Sequence, residues 1–104
     1  MYSINNGNDL LGPTLDFPLW EVKGCWVSRE GAPSVRIYRD TRYWNGGYYV
    51  EFAYDENTVF YRLIKKGIRN FRYFDLYGPV VLAYDARRDT LRLSAYGEYF
   101  RVEE

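Results

Sequence analysis

The residue types that most often carry catalysis or bind metals are scarce in this chain. There is no histidine, which removes the commonest general base and the commonest transition-metal ligand. The single cysteine, Cys25, rules out a Cys-rich zinc site and an intrachain disulfide. The carboxylate pairs Asp85 with Asp89 and Asp55 with Glu56 fall in predicted hairpin loops, where aspartate favours turns. We therefore predict no catalytic residue, no metal site and no cofactor, and we expect a protein that is not an enzyme.

A basic and aromatic stretch, KKGIRNFRYF at 65–74, is the best candidate for binding single-stranded nucleic acid. Its cations would line a groove while the aromatic rings of Phe71 and Tyr73 stack on bases. However, 14 Lys and Arg balance 14 Asp and Glu, whereas nucleic-acid domains usually carry a basic excess. Solvated charge beside core aromatics is the favoured interpretation, and nucleic acid is disfavoured as a partner. The four candidate cations are Lys65, Lys66, Arg69 and Arg72.

An aromatic hairpin is predicted in RYWNGGYYVEF, because Asn45-Gly46 suits the positive φ angles of a tight type I′ turn. Aromatic residues on both sides of this turn allow two interpretations. They are either cross-strand pairs that hold the strand register, or an exposed tip that docks a protein partner. The four residues concerned are Tyr43, Trp44, Tyr48 and Tyr49.

Cys25 alternates with Trp26 in the first predicted strand, so the two side chains should point to opposite faces. A buried, inert thiol is the favoured interpretation for the cysteine.

The elements that must position these residues are short strands in series. Aromatic residues make up 20% of the chain, and Tyr and Trp suit pleated, half-buried surfaces. Connections of two to five residues leave no room for βαβ crossovers. We therefore predict an all-β fold, a small up-and-down meander barrel of about eight strands, with a β-sandwich or an open curved sheet as the alternative. The predicted strands are 22–28, 34–40, 49–55, 58–64, an irregular 68–79, 80–85, 90–96 and 98–104.

The length of 104 residues fits one domain. We predict a lead-in at 1–20 that plugs the barrel and a single barrel domain at 21–104. The start of the chain shows neither the basic nor the apolar region of a signal peptide, and no apolar run approaches the length of a membrane span. With one cysteine, these features favour a soluble, cytoplasmic protein without membrane contact.

The stretch FPLWEVKGCW resembles the entry of the lipocalin-like superfamily, in which a turn of helix leads into a strand carrying Gly-x-Trp. Gly24 and Trp26 match that motif, and Arg101 in EYFRV matches the family's late arginine. The resemblance implies barrel closure by a cation–π contact, with the guanidinium within about 6 Å of the Trp26 ring. The stretches GCW, PSVRIYRD, YD, DTLRL and YGEYFRV, in that order, also resemble a group of small uncharacterised proteins of gut bacteria that are linked to mobile elements. That resemblance implies no activity.

Together these features predict a non-enzymatic binding or accessory protein. In the first hypothesis the barrel interior, including Trp26, holds a small apolar or aromatic ligand. In the second, side chains fill the barrel, and the chain binds a protein through the Trp44 hairpin or a sheet edge. The single-strand binder is the third. The predicted ligand contacts are Val35, Ile37, Val50, Phe52, Tyr54, Tyr61, Leu63, Leu91 and Leu93.

Overall fold

A computed structural model describes residues 13–42 and 46–102, which form an antiparallel sheet of nine strands. The strands are β1 (Gly24–Ser28), β2 (Ser34–Arg39), β3 (Tyr48–Asp55), β4 (Thr58–Leu63), β5 (Lys65–Lys66), β6 (Arg72–Asp75), β7 (Pro79–Asp85), β8 (Thr90–Leu93) and β9 (Gly97–Val102). Two short 3-10 turns, Leu19–Val22 and Ile68–Asn70, complete these elements. No helix in this part of the chain has the length and apolar character needed to cross a membrane.

The sheet is a nearly closed meander barrel, which confirms the predicted fold class. The strand order is β4-β3-β2-β1-β9-β8-β7-β6-β5, so the last strand returns to pair with the first. The two ends of this order, β4 and β5, are separated in the chain by Ile64 alone. Residues 58–66 therefore pair first with β3 and then with β6, and the chain itself joins the ends of the sheet.

This change of partner corrects two expectations about the middle of the chain. Lys65 and Lys66, which fall between the predicted strands 58–64 and 68–79, form strand β5 and pair with β6. The irregular segment 68–79 consists of a 3-10 turn, the short strand β6 and a second turn. Across the remaining gap, Arg62 Nε donates a hydrogen bond to the carbonyl oxygen of Asp75 at 3.0 Å.

The core fills the inside of the barrel with buried side chains from every strand except β4 and β5. Alternate residues of β2 and β3 are buried, as expected when one face of a sheet packs inward. The described lead-in adds to this core, since the Phe17 side chain is buried and lies 5.8 Å from the ring of Tyr84. Trp20, by contrast, is exposed. The largest fully buried side chains are Trp26, Tyr99, Phe52, Phe74, Ile37, Leu82, Leu91, Leu93, Val22 and Val50.

The barrel is sealed at one end by Arg101 on β9. Its guanidinium carbon lies 4.4 Å from the ring centroid of Trp26, which confirms the distance expected of the cation–π contact. The same guanidinium donates two hydrogen bonds to the Asp89 carboxylate, at 2.8 and 2.9 Å. It also donates to the carbonyl oxygens of Glu21 and Lys23, just before β1. One side chain thus joins the last strand, the first strand, the segment that enters it and the β7–β8 loop.

Gly24 is the residue that this seal requires. Its φ of 134° lies in a region that side-chain-bearing residues rarely adopt, and a Cβ there would lie 3.0 Å from Arg101 Nη1. Around the seal, Trp26 Nε1 donates to the carbonyl oxygen of Val22 at 2.9 Å, and the Tyr84 hydroxyl donates to Asp89 Oδ1 at 2.7 Å. The polar atoms that the sealed end buries are therefore hydrogen-bonded.

Replacing Arg101 tests how much this seal contributes to stability. Arg101→Met keeps an apolar stem over Trp26 but loses the cation–π contact and the charged hydrogen bonds, so the free energy of unfolding should fall by about 2–4 kcal/mol. Urea unfolding followed by Trp fluorescence measures the change. Arg92→Met is the matched control, because Arg92 is exposed on β8, and it should change stability by less than about 0.5 kcal/mol. If the two substitutions lower the free energy of unfolding equally, the Arg101 contacts do not contribute the stability assigned to them.

The Asp89 carboxylate gives the seal a pH dependence. Hydrogen bonds from the Arg101 guanidinium lower the pKa of Asp89 below its ordinary value of 3.8. Because the pKa of Asp89 is lower in the folded state than in the unfolded state, its ionised carboxylate stabilises the fold at pH values above the unfolded-state pKa. This stabilisation is lost as the pH falls through the lower, folded-state pKa. Asp89→Asn should therefore show a smaller loss of stability than the wild type between about pH 6 and pH 3. Asn tolerates the left-handed backbone at this position, where φ is 51°. If urea unfolding shows the same loss of stability with acid for Asp89→Asn and the wild type, Asp89 is not the source of this pH dependence.

Candidate interaction surface

The interior of the barrel contains most of the predicted ligand contacts, and these side chains touch one another. The Phe52 ring lies 5.0 Å from the ring of Tyr96 and 6.3 Å from that of Phe74, so aromatic side chains meet across the barrel. Close packing of this kind is expected in a barrel of this strand number. The predicted inward residues that the structure buries are Val35, Ile37, Val50, Phe52, Leu91 and Leu93.

Three predicted inward residues instead lie outside, so the expectation that they face the interior is wrong. Tyr61 and Leu63 are 55% and 36% exposed, because β4 pairs with β3 in the register that sets Phe60 opposite the buried Phe52. Residues of odd number in β4 therefore face solvent. Tyr54 is 56% exposed, since the register of β3 against β4 shifts between residues 53 and 55. These three side chains cannot line the interior as they stand.

The outward faces of β2, β3 and β4 form an ordered group of aromatic and charged side chains. Strand register aligns Arg36 with Glu51 and Tyr61 in one row, and Tyr38 with Tyr49 in the next. The rings of Tyr38 and Tyr49 stack 6.0 Å apart with an interplanar angle of 24°. We call these five residues the Arg–Tyr surface. With Asp40 and Arg42 they line a groove of about 400 Å³ on the outside of the barrel.

Charge pairs hold the Arg–Tyr surface in place. The Arg36 guanidinium lies 4.3 Å from the Tyr38 ring centroid, and its Nη2 lies 2.9 Å from Glu51 Oε1. The hydrogen bond to Glu51 raises the pKa of Arg36 above its ordinary value. At the end of the groove, Arg42 Nη2 lies 2.8 Å from Asp40 Oδ2, and hydrogen bonds from Arg42 lower the Asp40 pKa. Each arginine is matched by a carboxylate, so the surface is polar without net charge.

The predicted aromatic hairpin is described only at its base. Tyr43 and Trp44, together with Asn45, lie outside the described residues. Of the other two predicted residues, Tyr48 packs partly buried against the core, whereas Tyr49 belongs to the Arg–Tyr surface. Tyr49 stacks with Tyr38, its directly opposite neighbour on β2, which is not one of the four aromatic residues of the predicted hairpin.

The predicted nucleic-acid residues do not converge on one groove. Lys65 Nζ is paired with Asp75 Oδ2 at 2.8 Å, and Arg72 Nη1 donates to the carbonyl oxygen of Asn70 at 2.6 Å. Lys66 and Arg69 are exposed. A groove of about 450 Å³ beside this stretch is lined by none of the four cations. Its lining is Gly67, Ile68, Phe71, Tyr73, Asp75 and Pro79.

The predicted carboxylate pairs serve the fold. Asp55 Oδ1 accepts the backbone N–H of Asn57, and Asp85 Oδ1 accepts that of Arg87, which confirms their turn roles. Asp89 has a different role, because it holds Arg101. In the described residues, no group of three or more His, Cys, Asp and Glu is placed to hold a metal ion.

Cys25 is half-buried rather than buried. It lies on β1, on the face opposite the buried Trp26, as the alternation predicted. It contributes to a shallow, mostly apolar depression of about 280 Å³ that also includes Val27, Ala53 and Val102.

The packed interior predicts that the barrel does not take up an apolar ligand. Titration with 1-anilinonaphthalene-8-sulfonate, followed by dye fluorescence, should show no saturable 1:1 binding to the wild type. Phe52→Ala removes a ring that meets two others, so it should open a cavity and admit the dye, at a cost of about 3–5 kcal/mol in stability. Circular dichroism checks that this variant is folded. Saturable binding of the dye to the wild type would contradict this prediction and support a ligand site in the interior.

Comparison of the chain with models of protein families, with curated proteins and with solved structures finds no match. What the chain does is therefore inferred from the chemistry of its own surface.

Proposed function

We propose that this chain is a non-enzymatic protein-interaction module that docks a partner through the Arg–Tyr surface. The observation that carries the proposal is the fixed array of Arg36, Tyr38 and Tyr49 beside a groove of about 400 Å³. The barrel interior is occupied by the chain's own side chains, which favours binding on the outside.

The residue types of this surface suit protein recognition. Tyr and Arg are enriched among the residues that contribute most to binding at protein interfaces. A tyrosine ring offers a large contact area and has few rotatable bonds to immobilise on binding. Here the stacking of Tyr38 on Tyr49 and the Arg36–Glu51 pair already fix the side chains, which lowers that entropic cost further.

The balance of charge favours a protein partner over a polyanion. Arg36 is matched by Glu51, and Arg42 by Asp40, so the groove offers hydrogen-bond donors and acceptors together. Such a surface recognises a partner by the positions of its hydrogen-bond donors and acceptors. It lacks the net positive charge that would attract a phosphate backbone.

We also propose that the barrel is lipocalin-like and that the protein works in the cytoplasm. The contact of Arg101 with Trp26 beside Gly24 supports the first. The single cysteine supports the second.

Tyr61→Ala tests the proposed function, because Tyr61 lines the groove and is 55% exposed. The tagged chain captures its partner from a lysate of the cells that encode it, and the purified partner then gives a dissociation constant by calorimetry. Loss of a central aromatic contact should weaken binding at least about tenfold. Stability should change by less than about 0.5 kcal/mol, since the side chain is exposed.

Tyr77→Ala is the matched control for this experiment. Tyr77 is 87% exposed in the β6–β7 turn, away from the groove lining, and the same substitution there should leave the dissociation constant unchanged. A partner that binds wild type, Tyr61→Ala and Tyr77→Ala equally would rule out the Arg–Tyr surface as its docking site.

A further inference from the structure

The hairpin formed by β5 and β6 concentrates positive charge on one part of the barrel. Residues 58–75 contain five Lys and Arg and a single carboxylate, Asp75. Lys65 is paired with that carboxylate. Among the described residues, no Asp or Glu lies within ion-pair distance of Lys66 or Arg69, which are both exposed. We call residues 65–75 the cationic hairpin.

The tip of the cationic hairpin presents an apolar side chain to solvent. The Gly67 N–H donates to the Phe71 carbonyl oxygen at 2.8 Å, and the Asn70 N–H donates to the Gly67 carbonyl oxygen at 3.1 Å. Arg69 and Asn70 adopt φ angles of 66° and 67°, and a left-handed backbone is costly for arginine. The loop leaves Ile68 83% exposed between Lys66 and Arg69. Strained backbone and an apolar tip do not stabilise the fold, and such strain concentrates at functional sites.

An apolar groove runs from this tip along the outside of β6. Its volume is about 450 Å³, and its lining includes Ile68, Phe71, Tyr73 and Pro79. The rings of Phe71 and Tyr73 lie 5.5 Å apart, and the Phe71 ring packs directly on Gly67, where a Cβ would lie 2.4 Å from the ring. The groove is therefore preformed and has the size and surface to receive a large apolar side chain.

From these features we infer that the cationic hairpin binds an acidic segment of a partner protein. A large apolar side chain of that segment occupies the groove against Ile68 and Phe71. Its flanking carboxylates pair with Arg69 at the tip and with Lys66, which lies on β5 opposite Arg72; neither cation lines the groove. Charge complementarity steers the encounter, and the apolar contact selects the segment.

A single-stranded nucleic acid fits this arrangement less well. Bases stacked in succession need a backbone path lined by cations, and none of the four cations lines the groove that holds Phe71 and Tyr73. The site shares no residue with the Arg–Tyr surface, so the inference stands or fails independently of the proposed function.

Three polyanions distinguish an acidic segment with an apolar side chain from charge alone and from a nucleic acid. Each is labelled and titrated with the protein at low salt, and fluorescence anisotropy measures its binding. They are a random copolymer of glutamate and tyrosine, polyglutamate of the same length, and a 30-nucleotide oligothymidine. The copolymer should bind at least about tenfold more tightly than the other two, and added salt should weaken its binding. Tighter binding of the oligothymidine, or equal binding of the copolymer and polyglutamate, would overturn the inference.

Paired charge reversals locate the binding site. Lys66→Glu with Arg69→Glu should reduce copolymer binding at least about tenfold, whereas Arg87→Glu with Arg88→Glu in the β7–β8 loop makes the same charge change and should have a much smaller effect. Ile68→Ser should weaken binding of the copolymer and leave that of polyglutamate unchanged. If the two charge reversals act equally, binding is an effect of net charge alone and the inference fails.

Arg69→Gly separates binding from folding. Glycine adopts the left-handed backbone without strain, so the midpoint of thermal unfolding should stay the same or rise while copolymer affinity falls. Unchanged affinity would contradict the role given to Arg69. Tyr61→Ala should leave copolymer binding intact, which keeps this result distinct from the test of the Arg–Tyr surface.

Discussion

The contact between the Arg101 guanidinium and the Trp26 ring is the interaction on which the rest of this barrel depends. It lies where β9 pairs with β1, the pairing that turns a linear meander into a ring. Because the guanidinium also binds the Asp89 carboxylate and the Glu21 carbonyl oxygen, the same group closes the barrel and caps its end. This contact requires a glycine at position 24, since any side chain there would approach Arg101. Motif residues at opposite ends of the chain thus act as one unit.

Because large side chains fill the interior of the barrel, the outward faces of the strands carry its exposed chemistry. Each strand has only one inward face, and large side chains such as Trp26, Tyr99 and Phe52 occupy it. Under the proposed function, these outward faces decide what the molecule recognises. They differ from place to place, because Arg36 and Glu51 neutralise each other on β2 and β3, whereas no Asp or Glu of the described residues lies within ion-pair distance of Lys66 or Arg69 in the β5–β6 hairpin. One small scaffold thereby offers two surfaces of different chemistry.

The sequence predicts this fold well where a local pattern is unambiguous. In SVRIYRD only one face is apolar, so Val35 and Ile37 could be placed inside correctly. In TVFYRLI both faces carry apolar residues, and alternation does not say which one is buried. Tyr61 and Leu63 were misplaced for this reason, and Tyr54 because a register shift is not visible in composition. The role of Asp89 depends on Arg101, twelve residues away in the chain, and no local signal reveals it.

The passage of the chain through Ile64 has a consequence for how the sequence can change. This buried residue is the only spacer between a stretch paired with β3 and a stretch paired with β6. In most barrels a loop absorbs insertions and deletions, but here the seam between the sheet ends is made of paired backbone. Adding or removing one residue at Ile64 would exchange the faces to which the Lys65 and Lys66 side chains point. It would also shift the register of β5 against β6 relative to that of β4 against β3. We expect lineages of this chain to vary in the length of their turns and to conserve the spacing from Thr58 to Lys66.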